Sequence, residues 1–247
     1  MPASKMDKVA IDLHIHSVLS PCGEEEMTPN NIVNMALIKE LDFIAVTDHN
    51  SARNLPAVMA VAKELAKETE KGICILPGIE VTTREEAHIL AYLPTLEAAL
   101  KLDAIIYQHL PDVMNEKALF GPQYIMDEND QIIGEVDKLL ISATDISVEK
   151  LWEIVTDLGG ILVPAHIDRK SYSILASLGF IPLDLDIKTC EVSKKETFDN
   201  VLKNFRFFKD YQFIHGSDAH QLEDMAEREY FLELPDMQRQ TLIRYLG

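Results

Sequence analysis

Two histidines stand two positions apart near the start of the chain, in the segment Asp12-Leu13-His14-Ile15-His16. Because alternate side chains of a β-strand point to the same side, His14 and His16 would share one face of that strand. Two imidazoles placed in this way could bind one metal ion together, and Asp12 could orient one of them without binding the ion itself. On its own, the pair would more often be an exposed polar strand end than a metal site.

Four further segments place histidine or a carboxylate directly after an apolar run. They are Thr47-Asp48-His49, Gly78-Ile79-Glu80, Ala165-His166-Ile167-Asp168 and Gly216-Ser217-Asp218-Ala219-His220. In parallel α/β folds the carboxyl ends of the strands form the functional face. We therefore predict that five strands deliver ligands to one metal site. Imidazoles mixed with carboxylates suit Zn, Mn or Fe better than Ca or Mg, and so many ligands imply two or three divalent ions.

The elements that would position these residues are short apolar runs alternating with amphipathic helices. Candidate strands cover residues 9–15, 43–46, 73–76, 88–93, 161–165, 187–192 and 211–214. Strands that alternate with helices predict a mostly parallel sheet, either closed into a barrel or open and doubly wound. We interpret residues 1–247 as a single domain with an insertion, or lid, at about 103–147 that contains a β-hairpin.

The composition restricts the partners of this chain, because 23 Lys and Arg against 41 Asp and Glu give a formal net charge of −18. A negatively charged surface repels a long polynucleotide, whereas this charge does not exclude a nucleotide or a strand end as a ligand. No apolar run approaches the roughly 20 residues that cross a bilayer, and the N-terminus is unlike a signal peptide. We therefore expect a cytoplasmic protein without membrane contact. The pattern leaves the oligomeric state open.

Taken in order, Asp-x-His-x-His, Thr-Asp-His, Gly-x-Glu and Gly-Ser-Asp-Ala-His resemble the motifs of the polymerase-and-histidinol-phosphatase (PHP) superfamily. The motifs extend from residue 12 to residue 220, which is nearly the whole chain. This resemblance implies an α/β fold, a distorted seven-stranded (β/α) TIM-like barrel, with a trinuclear metal centre at the carboxyl ends of its strands.

The resemblance also implies how the ligands are shared among three ions. The first ion would lie among His14, His16, Glu80 and Asp218. Glu80 would bridge to a second ion that His166 also binds. His88 begins a strand eight positions after Glu80, and it would either ligate this second ion or orient a neighbouring group. His49 and His220 would hold the third ion.

One position departs from the family pattern. Where members often carry an aspartate or a histidine in the loop after the paired histidines, this chain reads Ser20-Pro21-Cys22-Gly23. A thiolate binds zinc or iron well and would shift the preference toward softer ions. We include Cys22 among the candidate ligands, with the alternative that it only fills the loop and leaves a weaker third site.

Four residues are candidates for direct roles in the chemistry: Glu80, Asp218, Arg169 and His215. Glu80 would bridge two ions. Arg169 is a candidate phosphate contact because the guanidinium fork matches phosphate geometry, although a surface salt bridge would explain it too. Solvent, or a nearby side chain such as His215 or Asp218, could protonate the leaving group, and the sequence does not rank them.

These observations predict a metal-dependent hydrolase that cleaves a phosphate ester through a metal-bound hydroxide. The expected substrate is a small phosphorylated metabolite or nucleotide, and the expected reaction is that of a phosphomonoesterase. One alternative is a nucleotide phosphodiesterase or exonuclease that uses the same site. A second is a non-catalytic, metal-dependent binding module, and a more distant one is an amidohydrolase-type enzyme. No motif in the loops identifies the substrate.

Overall fold

In the computed structural model, residues 6–69, 72–193 and 209–247 are described. The strands are β1 (Asp7–Ile15), β2 (Phe43–Val46), β3 (Cys74–Ile75), β4 (Gly78–Thr82), β5 (His88–Tyr92), β6 (Tyr124–Met126), β7 (Ile132–Glu135), β8 (Ile161–Pro164), β9 (Thr189–Val192), β10 (Gln212–His215) and β11 (Phe231–Leu234). The helices are α1 (Pro29–Ile38), α2 (Leu55–Thr69), α3 (Leu96–His109), α4 (Lys117–Phe120), α5 (Val148–Asp157), α6 (Ile174–Ser177) and α7 (Arg239–Leu246).

The strand that carries the paired histidines lies inside a four-stranded sheet with the order β11-β1-β2-β3. β1, β2 and β3 are parallel, and β11 pairs antiparallel with the outer edge of β1. The predicted strands at 9–15 and 43–46 are therefore confirmed. Because β1 and β2 run in the same direction, His14 and His49 reach the same end of the sheet.

A second sheet, with the order β4-β5-β8, is antiparallel throughout, which corrects the expectation of a mostly parallel arrangement. The stretch predicted as one strand at 73–76 is followed by a separate strand, β4. Only five residues, 83–87, connect β4 to β5. A connection this short permits a hairpin, whereas a parallel pairing needs a crossover of about a dozen residues or more.

The sheets enclose a shared apolar interior, and in the described residues their strands belong to four separate sheets. Single backbone hydrogen bonds between strand ends, such as Asn50 N to Glu80 O and Ile167 N to Glu191 O, connect them. β9 and β10 form a separate parallel pair. One buried cluster nevertheless combines side chains from several sheets, including Leu13, Phe43, Val163 and Ile214. The mixed α/β fold is confirmed, while a closed seven-stranded barrel is not formed by the described residues.

Helices alternate with the strands, as the sequence predicts. Thr28 caps α1 by accepting a hydrogen bond from the backbone N–H of Asn31, and Pro29 occupies the first helical position. α1 buries Ile32 and Val33 against the strands. None of the helices in the described part of the chain combines the length and the apolar character needed to cross a membrane.

The region predicted as an insertion contains the expected hairpin, formed by β6 and β7. Two buried asparagines that follow β2 hold this region. The Asn54 amide donates to Tyr124 O at 3.1 Å, and its oxygen accepts from Met126 N at 2.9 Å. The Asn50 amide donates to the backbone oxygens of Leu140 and Ser142. The loop that presents His49 is therefore hydrogen-bonded directly to the 103–147 region.

Candidate metal centre

Glu80 lies at the centre of a buried group of imidazoles. Its carboxylate oxygens are 2.9–3.4 Å from ring nitrogens of His14, His16, His49, His88 and His166. His88 is the first residue of β5, and the direction of that strand explains how it joins this group. Because β5 runs antiparallel to β4, with His88 opposite Thr82, its first residue lies at the same edge as Glu80. His166 follows β8, which is antiparallel to β5 and ends beside the same edge.

Asp218 supplies a second carboxylate to the group. Its Oδ1 lies 3.1 Å from His16 Nε2 and 3.2 Å from His14 Nε2. Its Oδ2 lies 2.6 Å from a guanidinium nitrogen of Arg169. Asp218 has a φ angle of 53°, and His166 one of 30°. A positive φ is uncommon outside glycine and is often retained at functional sites.

Three compact sets of ligand atoms emerge from this packing. They are His14, His16, Glu80 and Asp218; His49, Glu80 and His88; and His16, His49 and His220. The first set matches the ligands that the family resemblance implies for the first ion. In the second set His49 stands where His166 was expected, although His166 Nε2 lies 3.2 Å from Glu80. The structure thus brings together eight of the nine candidate ligands.

Cys22, the ninth candidate, belongs to none of these sets within the described residues. Cys22 is exposed and lines the cavity beside the group of imidazoles. Ligation by Cys22 therefore stays a prediction. His215 lies apart as well, since its ring stacks on Tyr230 with centroids 3.8 Å apart and does not line that cavity. Its proposed role as a proton donor also stays a prediction.

The hydrogen-bonding pattern of the group fits a divalent cation. Nδ1 of His14 is engaged with Glu191 at 2.9 Å, so in neutral His14 the Nε2 lone pair faces Glu80 and Asp218. His49 Nδ1 and Glu80 Oε2 lie 2.9 Å apart, yet neither atom has a hydrogen-bond partner of acceptable geometry. Buried acceptors that face one another without a shared proton need a positive charge between them. Imidazole and carboxylate ligands suit Zn, Mn or Fe.

Glu191 orients two of the histidines, and the sequence reasoning missed it. Its carboxylate receives His14 Nδ1 and the backbone N–H of His166. The available signal was a carboxylate between Cys190 and Val192 near the end of a predicted strand. A Cβ at Gly216 would collide with the Glu191 carboxylate, so glycine is required where the last motif passes it.

Two aspartates hold the loops that carry the ligands. Asp48 accepts hydrogen bonds from the Ser17 backbone and from the Ser20 hydroxyl, which lies 3.0 Å from His16 Nδ1. Asp12 reaches the paired histidines through the backbone, since its carboxylate accepts a hydrogen bond from the backbone of His14. It accepts hydrogen bonds from the Ser217 backbone N–H and hydroxyl, and so anchors the segment that presents Asp218. Its orienting role is therefore indirect.

Burial and charge set the protonation of the group. Burial lowers the pKa of His16, but hydrogen bonds and charges from Asp218 and Glu80 outweigh it and raise the pKa to about 9. Burial also lowers the pKa of His14, and the carboxylates of Glu191, Asp218 and Glu80 again reverse the effect. The pKa of His49 falls to about 3 because burial dominates. The pKa of Glu80 lies well below its usual range, since the surrounding imidazoles outweigh its burial.

An open cavity of about 290 Å³ adjoins the group. Besides several of the histidines and Asp218, it is lined by Cys22, Ile141, Arg169 and Tyr172. The predicted phosphate contact, Arg169, is thus both a salt-bridge partner of Asp218 and a wall of the cavity. Ile141 comes from the 103–147 region, and the sequence reasoning singled out neither it nor Tyr172.

Comparison with known proteins gives one curated relative at low coverage, and no protein-family profile matches the chain. The relative is a 5'-3' exoribonuclease Rnm from Salmonella typhimurium, which is 30% identical over 80 residues. The match covers 32% of this chain and 25% of that protein. The shared segment is therefore much shorter than either protein.

Solved structures match the chain over nearly its whole length. A lesion-specific endonuclease, PfuEndoQ from Pyrococcus furiosus, superposes with a TM-score of 0.64 at 19% identity, over 98% of this chain and 57% of that one. A two-domain protein from Bacteroides vulgatus that contains a predicted PHP-like metal-dependent phosphoesterase matches with a TM-score of 0.51 at 18% identity, over 98% and 62%. This chain thus spans about three fifths of each of these proteins.

At these identities, the similarity establishes the fold. It agrees with the ordered motifs between residues 12 and 220 and with the convergence of their side chains at Glu80. The predicted resemblance is confirmed, and the chain has the fold of the PHP superfamily.

Proposed function

We propose that this chain is a metal-dependent phosphoester hydrolase that acts on the monoester of a small phosphorylated metabolite or nucleotide. The observation that carries the proposal is the convergence of imidazoles and two carboxylates around unshared lone pairs, directly beside an open cavity. The fold shared with a PHP-like phosphoesterase supports the same chemistry.

The three ligand sets described above would hold two or three divalent ions, with Glu80 common to two of the sets. When bound, such ions polarise phosphoryl oxygens and lower the pKa of water, so that a nucleophile forms at neutral pH. Glu191, Ser20 and Asp48 hold the imidazoles in place. Preorganised ligands of this kind avoid the cost of rearrangement during the reaction.

Arg169 would contact the phosphoryl group. Its guanidinium is 44% exposed, and one nitrogen is held by Asp218, which leaves other N–H donors available at the cavity wall. Asp218 is a poor proton donor, because His14 and His16 outweigh its burial and hold its pKa below the ordinary value. His215 does not line the cavity. The leaving oxygen would therefore take its proton from solvent that enters the open cavity.

A second candidate function is cleavage of phosphodiesters in nucleic acid. It is favoured by the similarity to an exoribonuclease and to an endonuclease. The net charge of −18 opposes it, because a long polyanion would be repelled unless basic residues gather on one face.

Elemental analysis of the purified protein, together with a matched pair of substrates, tests the proposal. The pair is p-nitrophenyl phosphate and bis-p-nitrophenyl phosphate, with a 5'-phosphorylated single-stranded oligonucleotide added. We expect two to three Zn, Mn or Fe ions per chain and chelator-sensitive release of phosphate from the monoester. Preference for the diester or the oligonucleotide would favour the nuclease. Stoichiometric metal without turnover of any substrate would favour the binding module.

A further inference from the structure

Tyr172 is an exposed aromatic residue beside the candidate metal centre, and the proposed phosphate chemistry does not use it. Its side chain lines the cavity, and the residue is 55% exposed. Its ring stacks on that of His88, with centroids 5.0 Å apart and planes inclined by 28°. One face of the tyrosine ring is thus covered by a metal-ligand candidate, and much of the remaining side-chain surface is open.

The backbone holds this ring in place. Tyr172 has a φ angle of 55°, which is a costly conformation for a bulky residue. Its carbonyl accepts a hydrogen bond from His88 N at 2.8 Å. The next residue, Ser173, donates its hydroxyl proton to Arg169 O at 2.7 Å and caps α6. The loop that carries both Arg169 and Tyr172 is therefore closed on itself and attached to β5.

The tyrosine ring adjoins the candidate metal centre through His88. His88 Nδ1 lies 2.9 Å from the Glu80 carboxylate, and the tyrosine ring stacks on a face of the same imidazole. Tyr172 is thus in direct contact with one of the candidate ligands. A planar base on the open face of the tyrosine would lie in the same cavity as a phosphate bound beside Arg169 and Asp218.

We propose that Tyr172 is a stacking platform for a nucleobase, so that the substrate of the site is a nucleoside monophosphate. This inference rests on the proposed function. Stacking of a base on an aromatic side chain tolerates any base, because every base has a π-face. Ile141 adds an apolar wall to the same cavity. The negative surface and the small cavity favour a free mononucleotide over a polymer.

The test compares substrates that differ only in the base. AMP and ribose 5-phosphate carry the same phosphate on the same sugar, and both are given to the metal-loaded protein. We expect kcat/KM for AMP to exceed that for ribose 5-phosphate by about tenfold or more, the size expected of one stacked base. Y172A should reduce this ratio toward one, and Y172F should retain it. Y245A is the matched control, since Tyr245 is an exposed tyrosine on α7, away from the cavity.

Binding provides a readout that is independent of turnover. Adenosine, which lacks phosphate, should compete with AMP in the wild-type protein and lose this competition in Y172A, while ribose should not compete in either. Equal kcat/KM for AMP and ribose 5-phosphate would overturn the inference and leave the proposed function intact. An unchanged ratio in Y172A, or clear preference for an oligonucleotide over AMP, would also overturn it. Failure of the metal-loaded protein to hydrolyse any phosphomonoester would instead overturn the proposed function.

Discussion

The candidate metal centre and the mouth of its cavity are built in opposite ways. His14, His16 and Glu80 are completely buried, and each is in contact with several charged or polar partners. At the mouth, Cys22 and Tyr172 are exposed to solvent. The two regions nevertheless touch, because the ring of Tyr172 at the mouth stacks on the ring of His88 at the centre.

This difference separates the two tasks of the site. A buried, mutually constrained set of ligands suits chemistry, because metal geometry and charge must not relax during turnover. An exposed rim suits selection among substrates, because its side chains can vary without disturbing the ligands. The comparison therefore predicts that substitutions at the centre change metal content and rate, whereas substitutions at the mouth change substrate preference.

The largest effect is expected for Glu80→Gln. The substitution keeps the shape of the side chain and removes the negative charge that faces five imidazoles. We expect loss of bound metal and a fall in activity of at least about 10³-fold, since several kcal/mol of charge stabilisation disappear. Elemental analysis and initial rates measure this, with circular dichroism as a check on folding. E25Q is the control, because Glu25 is exposed and lies outside the centre. Full metal content in E80Q would contradict the bridging role.

The affinity for metal should rise with pH. In the metal-free protein, neighbouring carboxylates outweigh burial and raise the pKa of His16 to about 9 and that of His14 well above its usual value. Because an imidazolium cannot bind a metal, binding must displace these protons, and acid favours the metal-free form. Each displaced proton should contribute about a tenfold gain in affinity per pH unit between about pH 6 and about pH 8. Competition with a metal indicator at several pH values measures the slope, and a flat profile would contradict the assigned protonation.

Substitution of Glu191 tests whether the hydrogen-bond partners of the histidine ligands affect the affinity for metal. Glu191→Ala removes the acceptor for His14 Nδ1 and for the His166 backbone. We expect metal affinity to fall by about 10- to 100-fold, as for other groups that orient a histidine ligand. Glu191→Gln retains an acceptor oxygen and should lose less. Equal losses in both variants would mean that the charge of Glu191, rather than its orientation of His14, is what the centre needs.

The smallest effect is expected at the cavity wall. Ile141→Ala should raise KM by about threefold to tenfold, because part of an apolar contact surface is lost. The metal content should not change, since Ile141 lines the cavity without joining a ligand set. I133A is the matched control, because Ile133 belongs to the same 103–147 region and is 65% exposed. A loss of metal in I141A would show that the mouth and the centre are not separable.

Much of the centre was predictable from the sequence because its ligands follow a local rule. Side chains at the ends of neighbouring strands converge, and this rule places His14, His49, His166 and Asp218 together. It does not cover His88, which begins a strand. That residue joins the others only because the short connection of residues 83–87 forces β5 to run antiparallel to β4.

Other parts of the site could not be predicted because they depend on contacts between distant segments. Glu191 meets His14 across 177 positions of the chain, and no local pattern marks that pairing. His215 is a neighbour of Asp218 in sequence, yet its ring packs on Tyr230 instead of facing the cavity. The role proposed for Tyr172 likewise depends on the ring contact with His88.

The sequence by itself determined which residue types could bind metal, their order along the chain and the α/β class, because composition and strand periodicity are local properties. Only the tertiary structure decided the direction of β5, the sharing of ligands among the three sets and the groups that line the cavity. These features follow from strand pairing and side-chain packing, in which the partners are brought together by the whole fold and not by their spacing in the chain.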